Sequence, residues 1–191
     1  MEIDSVTLEQ ALRTLGSLLA DRGHFYEIVA IGGGGLLLLG QIDRSTKDLD
    51  LVALVEKDRF VSAAPLPGGL IQAAEDVGKA LDLGKGWLNI GPASLLDAGL
   101  PQGFKSRMHN RRYRGLIVHL AGRFDQICFK LYAAVDQGPQ SKHFSDLKHL
   151  KPTPSELDVA KRWCLTQDTS ETFAAELNDA LKALGVNCEL S

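Results

Sequence analysis

Four consecutive glycines, Gly32–Gly35, close a short β-branched run, "FYEIVAI", and open a run of four leucines, Leu36–Leu39. Glycine weakens the interior of a helix or strand, so a quartet here marks a tight turn or a close backbone approach. The next apolar run, "DLDLVALV" (48–55), reads as a second strand. Its alternation puts Leu49, Leu51, Ala53 and Val55 on one face and Asp48 and Asp50 on the other. Two uncompensated carboxylates facing an apolar core would be costly, so they are expected to line an open cleft.

Two common phosphate-binding patterns fail on this stretch. Gly35 and Gly40 have the spacing of a P-loop, but Gln41 and Ile42 stand where a Lys and a hydroxyl are needed. A G-x-G-x-x-G count from Gly32 or Gly33 ends on leucine. What remains is strand, glycine turn, helix, and then D-x-D on the following strand. Glycines let backbone approach a triphosphate, and a helix start offers free N–H groups to it. Carboxylates at i and i+2 share a face and can together reach Mg²⁺, which takes one or two carboxylates plus phosphate oxygens.

The segment "GG…R-S-T-K-D-L-D-L" resembles the core of the DNA polymerase β-like nucleotidyltransferases, most closely the bacterial branch of abortive-infection type IV toxins. The resemblance implies an α/β (α+β) fold with a mixed sheet core flanked by helices. It implies Gly32 and Gly33 at the nucleotide turn, Arg44 and Thr46 beside it, and Asp48 and Asp50 as ligands to Mg²⁺ and the NTP. A second match lies in "DQICFKLYAAVDQGPQSKHFSDLKHL" (125–150), where Lys130 matches a helical lysine and Asp146 with Leu147 a D-L pair. The implied activity is transfer of a nucleotidyl group from an NTP to an acceptor hydroxyl on RNA or protein, with Asp48, Asp50, Lys130 and Asp146 as catalytic residues. A toxin–antitoxin setting with a cognate antitoxin is implied too. The likeness covers residues 26–55 and 119–150. It departs from the family where Gly34 and Gly35 replace a Ser or Thr, and where His143 replaces an acid. It departs again in "GLIVHLAG", which offers His119 but no third carboxylate.

The rest of the chain reads as follows. "TLEQALRTLGSLLADRG" is an amphipathic helix with capping-box spacing at Thr7 and Gln10 and a stop at Gly23. Residues 62–69 form a loop, "LIQAAEDVGKALDL" a helix, "WLNI" a short strand and "GLIVHLAG" a further strand. From Phe124 onward the apolar period is helical, first through Phe124, Ile127, Cys128, Leu131, Ala134 and Val135, then through three more helices. The expected division is a core over 1–122 and a C-terminal helical bundle over 123–191 packed on it. Lys130 sits off the centre of its stripe, so its ammonium is expected to reach outward as a clamp on the triphosphate.

With 191 residues and a net charge of −3, a nucleic-acid partner would need a local basic patch rather than a general field. "KSRMHNRRYRG" supplies one, with Lys105, Arg107, Arg111, Arg112 and Arg114; it reads as a solvated hairpin or as a surface tracking an RNA backbone. Three scattered cysteines, Cys128, Cys164 and Cys188, favour a reduced, cytoplasmic setting over a disulfide framework. No signal peptide is evident in "MEIDSVTLEQ", and no apolar run is long enough for a membrane span. Two rivals stand beside the enzyme: a catalytically silent module of the same fold that binds a nucleotide or a partner, and an RNA-binding protein working through residues 105–114.

Overall fold

The structure, a computed structural model, describes residues 2–185; Cys188 lies outside them. The chain divides into two units, one of residues 1–100 and 104–122, the other of 101–103 and 123–191.

The first unit is mixed α+β. Helix α1 (Ser5–Asp21) leads to β1 (Tyr26–Ile31), α2 (Gly32–Leu38), β2 (Leu49–Glu56) and β3 (Arg59–Val61). Helix α3 (Gly68–Ala80), β4 (Leu88–Asn89), a 3₁₀ turn and the one-turn helices α4 (Leu95–Ala98) and α5 (Phe104–Arg107) follow. The hairpin β5 (His109–Tyr113) and β6 (Leu116–Leu120) completes it. The sheet runs β3-β2-β1-β6-β5, with β4 also paired to β2. It is mixed, because β1–β6 and β2–β4 are parallel and the other pairs antiparallel.

Helix α1 buries Leu8, Ala11, Leu12, Leu15 and Leu19, the expected stripe. Its N-cap, however, is Asp4 rather than Thr7: the Asp4 carboxylate accepts from the Thr7 N–H at 2.7 Å. A carboxylate three residues ahead of that N–H satisfies it, so the helix begins a turn earlier than the Thr7–Gln10 spacing suggests. Glycines bring α1 onto the hairpin. Gly115 N donates to Gly16 O at 2.9 Å, and a Cβ on Gly115 would lie 2.6 Å from Ala20 N.

The face of β2 also differs from simple alternation. A register shift between Val29 and Ala30 pairs Ala53 with Val29 and Asp50 with Ile31. Val29 and Ile31 share a face, so Ala53 follows Asp50 instead of Leu49 and Leu51. One extra residue in the ladder is enough to reverse the parity. His119 pairs with Val29 and thus faces the same side as Asp50, while Tyr113, which touches α1, belongs to the other.

The second unit is helical: α6 (Arg123–Gln137), α7 (Lys142–His149), α8 (Pro154–Gln167) and α9 (Glu171–Ala183). Ser141, Thr153 and Ser170 cap the last three, Thr153 through a full capping box with Glu156. Helix α6 is central and packs on each of the others. Trp163 meets Phe129 edge-on at 5.3 Å, and Cys128 and Cys164 are buried beside each other as small core residues. Arg123 joins the start of α6 to Leu150 O and the Glu156 carboxylate. Among the described residues no helix is long and apolar enough to cross a membrane.

Candidate functional site

The four glycines do not precede a helix; they are its first turn. Gly32 has φ +71°, a conformation that side chains rarely adopt, and a Cβ there would overlap the Asp50 carboxylate. At Gly33 a Cβ would lie 3.1 Å from Thr46 Oγ1 and 3.3 Å from an Arg44 guanidinium nitrogen. At Gly34 it would lie 2.9 Å from Asp48 O. Three successive glycines are therefore bare backbone against the segment 44–50. That close approach is what the quartet provides.

Segment 44–48 is held in place from several sides. Thr46 forms a two-way bridge with Ile3, Ile3 N donating to Thr46 O at 2.6 Å and Thr46 N to Ile3 O at 2.9 Å. The Thr46 hydroxyl donates to Asp48 O at 3.2 Å, and Arg44 donates to Ser45 O at 3.0 Å. Asp48 stands one residue before β2 and Asp50 on it; both are half-buried. Asn89 on β4 donates to Asp50 Oδ1 at 2.7 Å and accepts from Gly91 N at 3.0 Å, so its amide is fixed at both ends. Nothing in the local pattern singles out Asn89, because a two-residue strand pairing with β2 is a tertiary event.

Gly32, Gly33, Arg44, Thr46, Asp48 and Asp50 are thus brought together in the first unit. Carboxylate oxygens such as those of Asp48 and Asp50 are the ligand type a hard divalent cation takes. Among the described residues no group of three or more His, Cys, Asp and Glu side chains converges as a metal centre. Any Mg²⁺ here would rest on Asp48, Asp50 and its nucleotide.

Lys130 and Asp146 meet in the second unit. Lys130 Nζ lies 2.7 Å from Asp146 Oδ2, each side chain only 2% exposed. The expected outward reach of Lys130 is overturned. A buried ammonium needs a charged partner, and the carboxylate one helix away supplies it. Asp146, which the downstream motif places to orient Lys130, does pair with it, but with both side chains buried.

His119, the polar residue of β6, has both ring nitrogens engaged, Nδ1 with Asn110 Oδ1 and Nε2 with Glu27 Oε2, each at 2.7 Å. The basic stretch is spread over α5 and β5, and much of its charge is paired. Lys105 bonds Asp58 at 2.6 Å, Arg114 bonds Asp21 at 3.0 Å, and Arg111 bonds Glu9 at 2.8 Å and Leu38 O. Tyr113 is buried and donates to the same Glu9. Burial first, and the bond to Glu9 second, push the Tyr113 hydroxyl from 10.0 up to about 12. Arg112 remains exposed.

No family model matches the chain, nor does any curated protein or solved structure.

Proposed function

We infer that the protein is a nucleotidyltransferase of the polymerase β-like kind, moving a nucleotidyl group from an NTP to an acceptor hydroxyl on RNA or protein. One observation carries this: the glycine turn sets bare backbone against the Asp50 carboxylate, the Thr46 hydroxyl, the Arg44 guanidinium and the Asp48 carbonyl, so the residues of the motif lie together. Asp48 and Asp50 would hold Mg²⁺, which when bound offsets phosphate charge and orients the in-line displacement. Gly32 and Gly33 set bare backbone against Asp50, Thr46 and Arg44, which holds those side chains beside the turn, and a guanidinium is the kind of group that recognises phosphate. The resemblance also names Lys130 and Asp146, but as a buried pair within the helical unit they carry no step of this reading. A toxin–antitoxin setting and a cognate antitoxin belong to this proposal by analogy alone.

A second reading has an observation of its own. Where a third carboxylate would be sought on β6, His119 stands with both nitrogens occupied. That favours a silent module that binds a nucleotide without transferring it. Calorimetry with each NTP, with and without Mg²⁺, tests the binding common to both. Incubation with α-labelled NTPs and cellular RNA or protein then separates them. Metal-dependent binding with label transferred is the expected outcome; binding without transfer leaves the silent module, and no binding in any NTP removes both.

A further inference from the structure

Strand alternation gives β4 two different sides. Asn89 turns to Asp50, while its neighbours Leu88 and Ile90 line a cavity of about 650 Å³. The facing wall is one stripe of α3, namely Ile71, Ala74 and Gly78, at spacings of three and four. Leu70, Ala73 and Val77 of the same helix are buried and do not line the cavity, while Ala74 and Gly78 are buried beneath it.

Trp87 joins the two walls. It is 2% exposed, and its Nε1 donates to Ala74 O at 2.8 Å, so its single donor is used and the surface it offers the cavity is apolar. Gly78 leaves room for it, since a Cβ there would lie 3.1 Å from Trp87 Cδ1. Ile71 stays 39% exposed, an aliphatic side chain turned to the cavity. The charged lining consists of Glu75, Asp82, Lys79 and Lys85, two of each sign, which favours neither an anion nor a cation. The volume falls within the roughly 300–1,000 Å³ usual for small-molecule sites.

We propose that this cavity binds a small uncharged molecule with an aromatic or aliphatic body, and that its occupancy is transmitted to Asp50 through Leu88 and Asn89. The link is short and soft. Strand β4 is a two-residue ladder anchored by Leu49 N donating to Trp87 O at 2.7 Å. A ligand pressing on Leu88 and Ile90 bears directly on the residue between them, and so on its bond to Asp50. The consequence for nucleotide rests on the function proposed above; the binding and the response of Asn89 do not.

The test uses the neutral fluorophore N-phenyl-1-naphthylamine and the full chain. Saturable binding with a fluorescence rise is expected. Ile71→Glu, on a part-exposed position, and Leu66→Asn, on the loop wall, should each weaken it about tenfold with melting temperatures kept. In the same titration the ¹⁵N side-chain amide resonance of Asn89 should move for the natural chain, and for Ile71→Glu only at about tenfold higher fluorophore concentration. Absence of saturable binding, or equal binding by both folded variants, overturns the site. Binding with a stationary Asn89 amide overturns the coupling. An Asn89 response in a chain that binds no NTP would keep the cavity and remove only the nucleotide role.

Discussion

In the α/β unit, Asp48 and Asp50 are half-buried, Asp50 with its carboxylate against bare Gly32 backbone, whereas in the helical unit Lys130 and Asp146 are both 2% exposed and bonded to each other. The first arrangement leaves both aspartates part-exposed, with Asp50 accepting from Asn89. The second spends each charge on the other. A motif match by itself does not separate these cases, because both pairs fit the same family pattern. Desolvation does: a charge that keeps water can be lent to a ligand, and one that has lost it must be paired on site.

The largest expected effect comes from breaking the buried pair. Asp146→Asn or Lys130→Met leaves one charge buried without its partner and should cost about 3–5 kcal/mol in denaturant unfolding. The double variant Lys130→Met/Asp146→Leu should recover most of that loss. If the single variants melt with the natural chain, the pair is not desolvated and the contrast between the units disappears.

Next comes the glycine turn. Gly32→Ala forces a side chain into a positive-φ position and against Asp50, and should cost about 1–3 kcal/mol while displacing that carboxylate. Mg²⁺-dependent ATP binding is expected to be lost with it, measured by calorimetry on protein shown folded by circular dichroism. Asp48→Asn and Asp50→Asn should remove the same binding, and Asp50→Asn, which loses its charged acceptor for Asn89, should also cost about 1–3 kcal/mol. Unchanged ATP affinity in both aspartate variants would leave the constellation without a nucleotide role.

The smallest effects are in pH, with opposite signs in the two units. Tyr113 in the α/β unit has its hydroxyl pKa raised to about 12. Its contribution to stability is complete below pH 10 and is lost as pH climbs toward 12. Glu156 in the helical unit has its carboxyl held below the ordinary value of 4.5, first by its bond to Arg123. Its contribution is present above that value and is lost as pH falls through the lowered pKa. Thermal melting against pH should show Tyr113→Phe flattening the alkaline limb only and Glu156→Gln the acid limb only.

Periodicity was enough to place the long elements, since it is written in consecutive residues. The stripe of α1, the strands around Ile28, Leu51 and Val118, and the four C-terminal helices were all legible in the sequence. The spacing of Arg44, Thr46, Asp48 and Asp50 was legible too, because a short tether keeps neighbours in sequence close in space. What the tertiary structure alone decided depends on partners far along the chain. Asn89 reaches Asp50 across 39 positions, Arg111 meets Glu9 across 102, and Glu27 meets His119 across 92. The same holds for the Ala53 face, which a one-residue register shift reversed, and for Lys130, whose place on a stripe suggested exposure that burial then removed. Local pattern fixes which way a side chain leaves its own element. Only the packing of other elements around it fixes whether it meets water, a ligand or an opposite charge.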